Sequence, residues 1–265
     1  MDLGIKGRTA IICAGSKGLG RGCAEALAEA GVNLVINARG VEALEATAAD
    51  IRARFGVEVV VVPADITADA GRDAVLAAAA ALSPTGGADI LINNAGGPPP
   101  GMWSDWTRAD WQKAIDGNML TPILLTTAAL PGMIERGWGR VVNITSQSVK
   151  SPIGVLGLSN GARAGLTGFV AGTARQVAPF GVVMNNLLPG IHATDRAVAL
   201  DGAVVKAEGI SMQEAHDRRA ATIPARRYGT AAEFGATCAF MCSQHAGFMI
   251  GQNISLDGGG FNSTL

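Results

Sequence analysis

Aromatic side chains make up only 5% of this 265-residue sequence, and Tyr228 is its single tyrosine. So few rings leave no base-stacking platform for nucleic acid. Charge is sparse as well, at 16%, and balanced at 21 basic against 22 acidic residues with no basic run. The electrostatic footprint of a nucleic-acid partner is therefore missing, and a small-molecule partner is expected. Three histidines and four cysteines (Cys13, Cys23, Cys238, Cys242) lack the clustered spacing of a metal site or a disulfide framework, so no metal is expected. No apolar run reads as approaching the roughly twenty residues of a membrane span. The first eight residues already carry Asp2, Lys6 and Arg8 rather than an apolar leader. The expectation is a cytoplasmic protein with no membrane partner.

What is plentiful is glycine, 36 residues, alongside 48% hydrophobic residues. Short β-branched runs recur at 9–13, 33–37, 57–62, 89–93, 140–145 and 181–187, with a last one at 253–256. Each reads as a buried strand. Alanine-rich stretches of helical length lie between them, at 19–30, 41–55, 70–82, 108–134, 158–177 and near 231–242. Such alternation implies right-handed parallel crossovers: an α/β chain with one doubly wound parallel sheet of about seven strands and helices on both faces. The length suits one domain over 1–265, and no linker interrupts it. The one rigid break is Gly96-Gly97-Pro98-Pro99-Pro100-Gly101.

The first strand runs into Cys13-Ala14-Gly15-Ser16-Lys17-Gly18-Leu19-Gly20 and then a helix. Glycines there let backbone amides close on a pyrophosphate, and the helix N-terminus favours the anion. With its context, this loop resembles that of the short-chain dehydrogenase/reductase family, Thr-Gly-x-x-x-Gly-x-Gly, although Cys13 and Ala14 stand where the family has Thr and the first Gly. Asp65-Ile66, Asn93-Asn94-Ala95-Gly96, Pro189-Gly190 with Thr194, and Asp257-Gly258-Gly259 follow in family order. The resemblance spans essentially the whole chain. It implies a Rossmann-type fold with Gly15, Ser16, Lys17, Gly18, Leu19, Gly20, Asp65, Ile66, Asn93, Ala95, Gly96, Pro189, Gly190 and Thr194 around a nicotinamide dinucleotide.

The second strand ends Asn37-Ala38-Arg39, without the carboxylate that would hold a ribose 2'-hydroxyl. A 2'-phosphate is not repelled there, and Arg39 with Lys17 is expected to flank it, which favours NADP(H) over NAD(H).

The family's catalytic set is an Asn, a Ser, a Tyr thirteen residues after that Ser, and a Lys four further on. Asn118 and Ser146 match, but Ser159 and Arg163 occupy the Tyr and Lys places. A serine hydroxyl is a far weaker acid than a phenol, so the proton-transfer group is non-standard. Arg163 is expected to hold the ribose and supply the positive field. Asn118 precedes Pro122 by four residues, which frees a helical carbonyl for a relay water, or simply kinks the helix. His192 is either an alternative acid or a plain loop histidine. Tyr228 is not expected to substitute.

A mixed-charge segment at about 191–224 is expected to form a substrate lid; its charges suit a polar or anionic substrate, or a solvated face equally. Gly161, Gly165, Gly168 and Gly172 make one small face on the helix of Ser159, for packing on the chain itself or on a symmetry mate. A homotetramer is expected over a dimer. The reading is an NADP(H)-dependent oxidoreductase moving hydride to or from a small carbonyl, alcohol or imine. Two alternatives remain: a non-redox lyase, isomerase or hydratase on this fold, and an inactive cofactor-binding protein.

Overall fold

The structure is a computed structural model, and it describes residues 1–264. Seven parallel strands form one sheet in the order β3-β2-β1-β4-β5-β6-β7. They are β1 (Thr9–Cys13), β2 (Asn33–Ala38), β3 (Val59–Pro63), β4 (Ile90–Asn93), β5 (Gly139–Ile144), β6 (Val182–Pro189) and β7 (Asn253–Leu256). The helices are α1 (Gly18–Glu29), α2 (Val41–Phe55), α3 (Asp69–Leu82), α4 (Arg108–Ile115), α5 (Thr121–Glu135), α6 (Gly157–Val177), α7 (Asp195–Glu208), α8 (Met212–Ala221) and α9 (Ala231–Cys242).

Successive strand residues point to opposite faces, and the two cores separate on that period. Ile12, Leu34, Ile36, Ile92 and Val142 pack on one face with Leu27, Leu44, Ile51 and Phe234 of α1, α2 and α9. Ile11, Val35, Leu91, Val141 and Met184 pack on the other with Val75, Leu125, Met133 and Val170 of α3, α5 and α6. Burial on both faces is why the strands read as continuous apolar runs rather than alternating ones. Each fully buried Leu or Ile contributes about 1.5–3 kcal/mol of hydrophobic stabilisation.

The chain order reverses across β1 and β4, and this places a crevice at the carboxyl ends of those strands, the position where such sheets take ligands. Helix α1 reaches that crevice because it lies very close to α9: a Cβ on Gly235 would sit 2.1 Å from the Gly22 carbonyl oxygen. Backbone meets backbone there, and only glycine leaves the space.

Two expectations need correction. The stretch expected as one helix over 108–134 is helical throughout, but a π turn, Asp116–Leu120, separates α4 from α5. The same run, Arg108–Glu135, holds a window of mean hydropathy 1.2 and is long and apolar enough to cross a membrane by length and composition, which the sequence reading denied. In the fold 44% of that window is buried, and Leu125, Leu130 and Met133 pack against the sheet as in a core helix.

Candidate active site

The glycine turn lies between β1 and α1, with Gly15 N–H donating to the Asn37 carbonyl at 2.9 Å and the Thr47 hydroxyl donating to the Ser16 carbonyl at 2.9 Å. These two bonds tie the turn to β2 and α2. A Cβ on Gly20 would meet the Ala14 carbonyl oxygen at 2.1 Å, so α1 enters the turn only with glycine there. Lys17, the N-cap of α1, is extended and gives no side-chain cap, which leaves the first-turn amides of Gly18, Leu19 and Gly20 for an anion. These residues fit a dinucleotide diphosphate.

After β3, Asp65 accepts from the Thr67 N–H at 3.0 Å and its hydroxyl at 2.8 Å. The Thr67 bonds, with a smaller contribution from the Arg39 charge, hold its carboxyl below the usual range. Arg39 is exposed at the end of β2. The Lys17 Nζ lies 3.7 Å from Asp195 at the start of α7, a solvent-exposed pair between the glycine turn and the 191–224 segment. Thr194 lies beside Gly18 in the same contact.

Asn93 ends β4. Its side chain is buried and donates to Asn143 Oδ1 at 2.9 Å and Thr126 Oγ1 at 3.0 Å, bracing β4 against β5 and α5. Its neighbours Ala95 and Gly96 carry the strand end onward, and a Cβ on Gly96 would enter open space. Ile66 and Ala95 line a small cavity of about 20 Å³ together with Asn118, Pro122, Ile144 and Arg163. That is room for about one water. Asn118, in the π turn, is buried, and its Oδ1 has no partner among the described residues. Cys13 closes the cavity floor, and burial pushes its thiol up to about 12.

Ser159 and Arg163 lie one turn apart on α6 and both are buried, at 6% exposure. Arg163 donates to the Ile144 carbonyl at 2.7 Å and the Ala95 carbonyl at 3.4 Å, so it spans the ends of β5 and β4. Burial, and secondarily the Arg196 charge, push its pKa down to about 10, so it stays charged at neutral pH. Ser146 caps the short turn Gln147–Val149, its Oγ accepting from Ser148 N–H at 3.1 Å. Pro189 and Gly190 end β6 beside Gln147 and Asp257.

The Gly-Pro run folds toward α6 through Gly101 N–H to the Val155 carbonyl at 2.9 Å. Trp106 and Trp111, with ring centroids 6.1 Å apart, press on Gly157 and Gly161 on either side of Ser159. The glycine face of α6 is thus divided: Gly161 meets Trp111 and Gly165 meets Met119, whereas Gly168 and Gly172 have nothing within 4 Å.

His192 is no candidate acid. It is buried edge-on against Phe234 with ring centroids 5.2 Å apart, and burial pushes its pKa down. Tyr228 is occupied too, its hydroxyl donating to Asp201 at 3.0 Å inside the 191–224 segment. Arg196, read from sequence only as one charge of the 191–224 lid, donates through Nη1 and Nη2 to the Gly97 and Pro98 carbonyls at 3.2 and 3.3 Å. The contact itself joins residues about a hundred positions apart, which the sequence does not show.

The family described as "Enoyl-(Acyl carrier protein) reductase" has a model that matches residues 13–260. The chain belongs to the short-chain dehydrogenase/reductase family. Among members of this family, the acetoacetyl-CoA reductase of Cupriavidus necator is 39% identical over 179 residues, 67% of this chain and 68% of that protein. The NADPH-dependent reductase BacG of Bacillus subtilis is 31% identical over 257 residues, 97% of this chain and 98% of that one. The crystal structure of L-sorbose reductase from Gluconobacter frateurii, complexed with NADPH and L-sorbose, matches with a TM-score of 0.94 at 28% identity, covering 99% of this chain and 100% of that chain.

Proposed function

We propose that this chain is an NADP(H)-dependent oxidoreductase that moves hydride to or from a small carbonyl, alcohol or imine, with Ser159 in the place of the usual proton donor. The observation that carries the reading is the placement of Arg163, charged and buried where β4 and β5 end, one turn from Ser159 and beside the cavity at Asn118. The glycine turn of Gly15, Ser16, Lys17, Gly18, Leu19 and Gly20, with Arg39, Asp65, Ile66, Ala95, Gly96, Pro189, Gly190 and Thr194, is proposed to hold the dinucleotide. When bound, that group would supply the hydride in reduction and accept it in oxidation.

The chain's own residues do the rest. The Ser159 and Ser146 hydroxyls hold the substrate oxygen, and the Arg163 charge stabilises the negative charge that develops on it. A serine gives up its proton poorly, so protonation is routed through the water-sized space between Arg163 and Asn118. General acid catalysis contributes about 10²- to 10⁴-fold, some of which is forgone, while positioning is retained. An imine that already carries its proton avoids the loss.

The NADPH-dependent relatives and the exposed Arg39 at the end of β2 support NADP(H). A cytoplasmic homotetramer is also proposed, and a single-chain mass in light scattering overturns the tetramer. Because Ser159 itself favours a second reading, in which the dinucleotide is structural and the reaction is a lyase, isomerase or hydratase step, the test follows absorbance at 340 nm with NADPH and a carbonyl panel. Cofactor oxidation that depends on substrate supports the first reading; product formation with no change in the cofactor supports the second. Failure to bind either nicotinamide coenzyme in calorimetry overturns both.

A further inference from the structure

We infer that Arg196, with the positive field of Arg163 behind it, binds a carboxylate on the substrate, so that the substrate is an oxo acid or hydroxy acid of modest size. This rests on the oxidoreductase reading above for the role of the site, but its geometry is independent of it.

The two guanidinium groups are pinned to one short strip of chain. Arg163 donates to the carbonyl of Ala95, while Arg196 donates to those of Gly97 and Pro98. All these acceptors are neutral, and among the described residues neither arginine forms an ion pair. The nearest carboxylate in sequence, Asp195, is turned to Lys17 at 3.7 Å. Two positive charges without an ion-pair partner therefore stand along the strip that runs on from Ala95, where it lines the small cavity, to Pro98. Each guanidinium carries five donors in a planar fork, more than the carbonyls take up, and that fork matches a carboxylate.

The strip itself is shaped for Arg196. A Cβ on Gly97 would lie 2.5 Å from Arg196 Nη1, so the guanidinium rests where any side chain at 97 would stand. Arg196 comes from the start of α7, whereas the segment that carries Trp106 presents the Asp105 carboxylate at Gly101, which repels an anion. A substrate whose carbonyl meets Ser159 would thus hold its carboxylate toward Arg196. The diphosphate of the dinucleotide is the other anion within the crevice, and the test must separate the two.

The experiment titrates 2-oxobutyrate, acetoacetate and levulinate, each against its methyl ester, into the protein with and without NADPH in a calorimeter, and follows 340 nm absorbance in parallel. Wild type is expected to bind at least one acid about tenfold or more tightly than its ester, the scale of one charge-assisted hydrogen bond. Arg196→Gln is expected to abolish that preference while the NADPH affinity holds, and Arg196→Lys to restore part of it. Gly97→Ala, which displaces the guanidinium without removing its charge, should lose the preference too; melting temperatures verify that each variant is folded. Equal affinity for acids and esters, no binding of any acid, or a preference that survives Arg196→Gln overturns the inference. So does a loss of NADPH affinity in Arg196→Gln with the acid preference intact, which assigns the arginine to the diphosphate. An acid bound with preference but never reduced leaves the inference standing and sinks the redox reading. Reduction of ester and acid alike, unaffected by Arg196→Gln, does the reverse.

Discussion

Ala14 sits at φ 50, in the left-handed region that costs a residue with a Cβ about 1–2 kcal/mol. It holds that conformation because its carbonyl packs against Gly20 and because the turn is tied to β2 and α2. Ala14→Gly relieves the strain but adds freedom to the unfolded chain, so the net gain is expected to be about 0.5–1 kcal/mol, a rise of about 2 °C in Tm. Scanning calorimetry on the two proteins checks it, and a lower Tm refutes it. At Ser159 the argument concerns rate. Ser159→Ala removes one hydroxyl and is expected to lower kcat on a ketone up to about tenfold. Ser159→Tyr with Arg163→Lys restores an acid of ordinary strength, and kcat is expected to rise about a hundredfold, within the range of general acid catalysis. A fall in kcat in the double variant instead marks the serine as an adaptation to a substrate needing no such acid. The choice of Ser159 and Arg163 comes from the family resemblance, which implies these intervals after Ser146. The hydrogen bonds that Arg163 makes are not legible in the sequence, since they join residues far apart in the chain.

Helices α7 and α8 are held together by one buried carboxylate. Asp201 accepts from Tyr228 at 3.0 Å and from Arg219 at 3.1 Å, and the His216 ring lies against Tyr228 with centroids 4.2 Å apart. The segment is therefore a small unit with its own apolar cluster of Ala197, Ala220, Ile223 and Tyr228. Removing the charge by Asp201→Asn leaves Arg219 partly unpaired and is expected to cost about 1–3 kcal/mol locally. Amide hydrogen exchange should quicken across 195–221 and stay unchanged in β1 to β6; uniform quickening contradicts a separate unit. The sequence placed strands to within two residues here because β-branched runs buried on both faces leave little freedom in where they begin and end. It could not place the π turn. Pro122 announced a break, but the shift of register depends on Thr121 bonding the Asp116 carbonyl at 2.7 Å and on α4 resting against α6. Nor could it foresee Asp201 as a keystone, since a lone aspartate in an alanine- and valine-rich helix reads as a solvated face.

The dinucleotide, on the proposed reading, spans the whole carboxyl edge of the sheet: Arg39 after β2, the turn after β1, Ala95 after β4, Pro189 at the end of β6, and Thr194 beside α7. A ligand across them adds contacts between the ends of four strands, so it stabilises the molecule as one body. A ligand that binds only the native state adds about 2.7 kcal/mol at a hundred times its Kd. For a chain of this size that corresponds to a rise in Tm of about 5–10 °C. NADPH is expected to give this rise, and NADH at equal concentration a smaller one, because the 2'-phosphate finds Arg39 and no carboxylate at the end of β2. Arg39 is exposed, so its contribution is screened, and the gap between the two coenzymes should shrink in about 1 M salt, where the Debye length falls to about 3 Å. Thermal melts in low and high salt measure both quantities. An equal rise with NADH, or a gap that salt leaves untouched, places the coenzyme preference somewhere other than Arg39.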